Sequence, residues 1–318
     1  MNTTTTEPIT DWQGIVNRAQ EYSSKRMRRV AVAAAADGAV LQAVVEARLQ
    51  GIADAVLIGD SDEIKKRADE ADLDLSVLHI EPVSEVETVA ARAADMAASG
   101  DADIIMKGFL PTSTLLKAVL AKDKGLRRSD VLSHCAVLSP PDYPRLLNVT
   151  DGGMVVSPDF KQKVKIIENA VTVSRALGIT KPRIALLAAT DVVHPEMPRA
   201  VEDAIIAKMA DRGQIRDAIV DGPLTIDAAT LPKVADLYDI ESPVAGYADV
   251  LVANSIEEGN IISKSLILFG GAVFCGVIVG AAVPVSLVSR SDPPRNKLAS
   301  VAIAVVLSEY LQAQEAQS

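Results

Sequence analysis

Two cationic segments stand where a parallel α/β chain places its chemistry. The first is KGFLPTSTLLKAVL (107–120), in which Lys107-Gly108 follows an apolar run and three hydroxyls, Thr112, Ser113 and Thr114, open a helical pattern. Free amides at a helix start, with hydroxyls and an ammonium nearby, suit an anion such as phosphate. Hydroxyl capping of that helix is the competing explanation. A Walker A loop is excluded, because GxxxxGK[ST] is absent. The second segment is SRSD (289–292). Arg290 emerges from the apolar run VPVSLV, so its charge needs a partner or a ligand, and a guanidinium fork fits phosphate bidentately. Ser289 can donate to a developing oxyanion. Asp292 can accept a proton, or it can cap the helix that begins at Pro293-Pro294.

In parallel α/β sheets ligands bind beyond the carboxyl ends of the strands. Small and polar residues gather there in this chain: Asp37-Gly38, Gly59-Asp60, Thr150-Asp151-Gly152-Gly153, Thr190-Asp191, Asp221-Gly222, and Asn254 ahead of Gly259-Asn260. Turn formation alone accounts for many of them. His79, His134 and His194 lack metal-ligand spacing. His134 and Cys135 are neighbours on an expected strand and point to opposite faces, so Cys135 reads as core. AAAADGAV stands where a dinucleotide-binding GxGxxG would be, and GxSxG is absent.

The positioning elements follow from hydrophobic pattern. Expected strands are 30–34, 55–59, 103–106, 133–138, 145–150, 183–189, 217–221, 249–254 and 283–288, with amphipathic or Ala-rich helices between most of them. This alternation predicts an α/β fold with largely parallel sheets. Ser157-Pro158-Asp159 predicts a helix start, with Ser157 as cap and Val164, Ile167 and Val171 on the buried stripe, ending at Gly178. The stretch from Ser265 to Ser289 carries no charge and is long enough to cross a bilayer. Glycines and Pro284 cut it into strand-length pieces such as AVFCGVIVG, so it is expected to be soluble core.

The 318 residues suggest two domains. Lys plus Arg number 32 and Asp plus Glu 42, a net charge of −10, which leaves no basic surface for a nucleic-acid backbone. The cluster Lys25, Arg26, Arg28 and Arg29 reads as a solvated helix end. Hydrophobic residues are 49% and aromatics 3%, so the core is aliphatic. Two cysteines make no disulfide framework. MNTTTTEPIT has neither a basic nor an apolar leader segment, so a cytoplasmic location is expected.

The residues resemble the phosphate acetyl/butyryltransferase family, and its butyryl branch most closely. The likeness runs through KGFLPTSTLLKAVL, GLRRSDVLSHCAVL, TDGGMVVSPD, DGPLTIDAA, GNIISKSL, VPVSLVSRSD and KLASVAIA, covering about residues 28 to 312. It implies reversible acyl transfer between coenzyme A and inorganic phosphate, with both as substrates and no tightly bound cofactor or metal. It also implies two α/β domains facing a cleft, an isocitrate/isopropylmalate dehydrogenase-like architecture. Residues 1–138 with 286–318 would form the first domain and 139–285 a second, dimerising one. A homodimer or higher oligomer is expected, with no nucleic-acid or membrane partner.

Ser289-Arg290 matches a Ser-Arg pair of acetyltransferase relatives. The following aspartate, Asp292, stands closer to the pair than in that branch. On this reading Ser289, Arg290 and Asp292 are catalytic, Lys107, Gly108, Thr112, Ser113 and Thr114 hold phosphate or the coenzyme tail, and Asp151, Asn260 and Lys264 complete the binding residues. Two other readings stay open: a metal- and NAD(P)-dependent dehydrogenase on a related fold, and a non-catalytic CoA- or phosphate-binding protein.

Overall fold

The computed structural model describes residues 7–287 and 292–317. The chain forms two compact α/β units. A middle unit comprises Val131–Ala272 with the described residues up to Asp11, and a flanking unit comprises Trp12–Asp130 with the described residues from Val273 onward. The units exchange at 130/131 and 272/273, where the sequence reading places its boundaries at 138/139 and 285/286.

The flanking unit runs α1 (Trp12–Lys25), β1 (Arg29–Ala33), α2 (Gly38–Leu49), β2 (Asp54–Gly59), α3 (Ser61–Glu70), β3 (His79–Pro82), α4 (Val86–Ser99), β4 (Ile104–Lys107) and α5 (Thr112–Val119). The middle unit follows with β5 (Ser133–Ser139), β6 (Leu147–Thr150), α6 (Phe160–Ala176), β7 (Arg183–Leu187), α7 (Pro198–Asp211), β8 (Ile219–Leu224), α8 (Ile226–Thr230), α9 (Pro232–Leu237), β9 (Val250–Val252) and α10 (Ile256–Leu268). The chain then returns to the flanking unit with β10 (Val273–Val279), β11 (Val285–Ser286) and α11 (Pro294–Glu315).

In the flanking sheet the order is β3-β2-β1-β4-β11-β10, parallel except for the β10–β11 pair. Strand order reverses between β1 and β4, so the loops after these two strands flank a switch point. In the middle sheet the order is β5-β6-β9-β7-β8, parallel except for β5–β6. Its reversal lies between β7 and β9. Both units therefore have the largely parallel α/β organisation that the hydrophobic pattern predicts.

The aliphatic core explains the stability of strands with few aromatic residues. Every residue of β5 and β10 is buried, which matches their apolar or small character apart from His134. The charge-free stretch from Ser265 divides into the end of α10, β10 and β11, and no described helix is long and apolar enough to cross a membrane. Helix α11 is buried from Asn296 to Ser308 on all sides, packing on β10, α1 and α2.

Four local readings change. Strand β3, HIEP, was not expected; it is a half-exposed edge strand with a proline, which carries little apolar signal. Strand β11 spans only Val285–Ser286. Helix α6 is capped by Asp159, not Ser157, because Asp159 and Gln162 form a reciprocal capping box. The basic cluster is not wholly solvated: Arg28 is 4% exposed and pairs with Asp103 and Glu309.

Candidate functional site

The two switch points supply two groups of polar residues. In the flanking unit the β1–β4 register places Lys107 beside Ala33. Beyond it the backbone N–H groups of Gly108 and Phe109 donate to the carbonyls of Ala33 (2.8 Å) and Ala34 (2.7 Å). A Cβ on Gly108 would lie 2.1 Å from the Ala34 carbonyl oxygen, so only glycine permits this approach. The Lys107 ammonium is half-buried and donates to the carbonyls of Gly108 (3.3 Å) and Leu110 (3.1 Å), which folds the loop around it. Helix α5 then starts with Pro111 at its N-cap and no side-chain cap, so Thr112, Ser113 and Thr114 are not engaged in capping it. That removes the competing explanation for the three hydroxyls.

Ser289 and Arg290 lie outside the described residues. Asp292 is buried and directly precedes Pro293, which holds the cap position of α11. Its carbonyl accepts a 2.6 Å hydrogen bond from the Lys297 ammonium. Lys297 is buried; burial lowers its pKa, and the charges of Asp292 and Asp37 oppose that shift. Asp37 meanwhile caps α2, accepting from the Val40 N–H at 2.9 Å.

The middle unit brings Asp151, Asn260 and Lys264 into one neighbourhood. Asp151 follows β6 and is buried, and its carboxylate accepts from the N–H groups of Gly153 (2.7 Å), Met154 (2.9 Å) and Val155 (3.2 Å). Burial raises its pKa to about 6 against the pull of those donors. Helix α10 approaches this loop backbone to backbone: a Cβ on Gly259 would stand 2.4 Å from the Asp151 carbonyl oxygen, and one on Gly152 would stand 2.7 Å from the Gly259 carbonyl carbon. The Asn260 amide donates to the Gly152 carbonyl at 3.3 Å.

His134, on β5, fills the space beside Gly153, where an added Cβ would meet its ring at 3.0 Å. Burial, and secondarily the Lys264 charge, lower the His134 pKa to about 4, so the ring is neutral at physiological pH. Next to it, burial pushes the Cys135 thiol up to about 12, as expected of a core cysteine rather than a nucleophile.

Sequence reasoning passed over Lys163, Asp203 and Lys297. The one signal for the two lysines is a cation on an apolar helix face: Lys163 shares its stripe with Ile166, Ile167 and Ala170, and Lys297 lies in a segment buried on all sides. Among the described residues no three His, Cys, Asp or Glu side chains are grouped as a metal site.

A family model described as "Phosphate acetyl/butaryl transferase" matches residues 13–91 and 83–305. The phosphate butyryltransferase of Clostridium acetobutylicum is 39% identical over 288 residues, 91% of this chain and 96% of that protein. A probable phosphate butyryltransferase of Bacillus subtilis is 41% identical over 296 residues, 93% of this chain and 97% of that protein. The crystal structure of a branched-chain phosphotransacylase from Enterococcus faecalis V583 superposes with a TM-score of 0.79 at 32% identity, covering 89% of this chain and 99% of that one.

Proposed function

The chain belongs to the phosphate acetyl/butyryl transferase family and is a phosphate acyltransferase; we propose that it exchanges an acyl group of about four carbons between coenzyme A and inorganic phosphate. Similarity to phosphate butyryltransferases over more than nine-tenths of each chain carries this reading. The dehydrogenase and non-catalytic readings have no such support.

In the direction that consumes acyl phosphate, the coenzyme thiolate attacks its carbonyl carbon. The resulting tetrahedral intermediate expels phosphate as its C–O bond breaks. Arg290 neutralises the phosphate and Ser289 donates to the oxyanion. The thiol proton must go to a base. A free thiol at about 8.5 and a free aspartate at about 3.9 differ by roughly 4.6 units, about 6 kcal/mol, so direct transfer to an ordinary carboxylate is uphill. Asp292 therefore acts as bond formation proceeds, from a buried position. Lys107, Gly108 and the hydroxyls of Thr112, Ser113 and Thr114 bind anionic parts of the substrates. Asn260 and Lys264 contact the substrates beside the Asp151 loop. Asp151 itself is committed to three N–H donors and shapes that loop.

The enzyme works in the cytoplasm as a homodimer or larger homo-oligomer. Exposed Ile261, Leu268 and Phe269 on and just after α10 support self-association, because an isolated monomer would leave them in water.

The test is phosphate-dependent thiol release from acetyl-, propionyl-, butyryl- and isobutyryl-CoA. A four-carbon substrate should have the highest kcat/KM, and an acetyl preference would reject the chain-length assignment. Arg290→Ala should lower the rate by orders of magnitude. Retained activity with unchanged phosphate dependence would remove Arg290 from the phosphate site.

A further inference from the structure

Lys163 lies on the inward stripe of α6 with no exposed side-chain surface. Its ammonium donates to the Asp203 carboxylate and, at 2.6 Å, to the Asn254 side-chain oxygen. The Glu202 carboxylate is 3.8 Å away. Asn254 stands just beyond β9, at the reversal of the middle sheet. Its amide nitrogen donates to the Leu187 carbonyl at 2.6 Å, at the end of β7. Its backbone N–H donates to Glu258 Oε2 at 2.9 Å, in the first turn of α10. One asparagine thus ties two strand ends to the start of the helix that carries Asn260 and Lys264.

The lysine gives that asparagine its orientation. An ammonium can only donate, so it holds the amide oxygen toward itself and leaves the NH₂ group facing Leu187. Without the ammonium, the amide loses the contact that selects this orientation.

The ion pair is poorly designed for stability. Asp203 Oδ2 is buried without a hydrogen-bond partner, and burial raises the pKa of this carboxyl despite the nearby Lys163 charge. Buried pairs of this kind are often replaced by apolar residues at no loss of stability. What the pair does supply is the geometry of Asn254 and, through it, of the α10 turn that meets Asp151 and Gly152.

We propose that Lys163 is a positioning residue for acyl transfer: through Asn254 it sets the first turn of α10 and so places Asn260 and Lys264 at the 151–153 loop. The role in catalysis rests on the acyltransferase reading; the effect on α10 does not.

The test uses Lys163→Met together with Asp203→Leu, which removes both buried charges, because Lys163→Met alone strands a carboxylate and endangers folding. In the full-length double variant, kcat for phosphate-dependent CoA release should fall roughly 10- to 100-fold while KM for acyl-CoA stays within about threefold. Asn254→Leu should show a similar loss. Adding it to the double variant should cost little more, since both changes act through one hydrogen bond. Amide hydrogen exchange at 256–260 should speed up about tenfold, with β9 and α6 unchanged.

Wild-type kcat and wild-type exchange in a stably folded double variant would overturn the proposal. Faster exchange at 256–260 in a protein whose wild type transfers no acyl group would instead keep Lys163 as the organiser of α10 and remove the acyltransferase reading.

Discussion

Arg28 in the flanking unit and Lys163 in the middle unit are both buried and paired with carboxylates, and the two are used differently. Arg28 lies at the amino edge of the flanking sheet, just before β1. It pairs with Asp103, just before β4, and with Glu309 of α11. Asp103 also accepts from the Arg29 N–H at 3.0 Å and from Gln312 at 2.9 Å, so the starts of two strands and the end of a helix share one carboxylate. Lys163 lies at the carboxyl edge of the middle sheet, where its partner Asn254 reaches the strand ends and α10. Each network leaves one buried atom without a hydrogen-bond partner, Arg28 Nε in the first and Asp203 Oδ2 in the second. Their difference is therefore in position rather than quality. Ligands meet parallel sheets at carboxyl ends, so the amino-edge network can contribute only stability, whereas the carboxyl-edge network also shapes a binding loop.

The sharpest way to break this comparison is Asp103→Ala. It leaves Arg28 buried with one fewer partner and should cost about 3–5 kcal/mol in urea unfolding, while kcat/KM per folded molecule stays unchanged. A fall in specific activity would show that the amino edge also serves catalysis. Burial works to raise the pKa of Asp103, but hydrogen bonds from the Arg29 N–H, Gln312 and Arg26 outweigh it and hold the carboxyl below its usual value. Its stabilisation is thus present above the unfolded carboxyl range and is lost as pH falls through the lower folded value. Wild type and variant should converge in strong acid.

The next effect contrasts two neighbours in the middle unit. His134 titrates near 4 when folded rather than 6.5, so it favours the unfolded chain progressively as pH falls from 6.5 to about 4. Asp151 titrates near 6 rather than 3.8, so its contribution is complete below 3.8 and is lost as pH rises toward 6. Over most of this interval the two oppose each other. His134→Gln should make the stability difference between pH 4.5 and pH 6.5 shift toward acid tolerance, and Asp151→Asn should shift it the other way, each by about 2 kcal/mol. Urea midpoints at the two pH values check the signs, and shifts in the same direction would refute the assignment.

Gly259→Ala tests the backbone contact that joins α10 to the Asp151 loop. The added methyl must push the two apart, so kcat/KM should fall roughly 10- to 100-fold, with a stability loss of about 1–3 kcal/mol. Steady-state kinetics on the folded variant measures it. The smallest effect compares the two buried cysteines, one in each unit. Burial raises both thiols, Cys135 to about 12 and Cys275 likewise upward. Iodoacetamide at neutral pH should label neither in the folded protein and should leave activity unchanged.

Strands buried on both faces were legible because β5 and β10 have no alternative to the core. The edge strand β3 was not, since its pairing with β2 depends on a neighbour rather than on its own composition. Asp151 was legible as a strand-end residue, and Asn260 and Lys264 acquired roles through family motifs. The contact among these segments depends on Gly152 and Gly259, whose lack of side chains carries no pattern until the two backbones are seen together. Lys163 and Arg28 were misjudged or missed for a shared reason: hydrophobic periodicity treats a long cation as solvent-facing, and only the position of a distant carboxylate shows otherwise.

The return of β10, β11 and α11 to the flanking unit has a consequence for biosynthesis. All of the middle unit except the short stretch up to Asp11 is a single run of chain, so it can assemble as soon as Ala272 leaves the ribosome. The flanking sheet must wait, with β4 lacking its β11 neighbour and the surfaces of α1 and α2 uncovered, until α11 has been translated. Those 22 largely buried residues make the flanking half the last to close, and the one most in need of protection on a nascent chain.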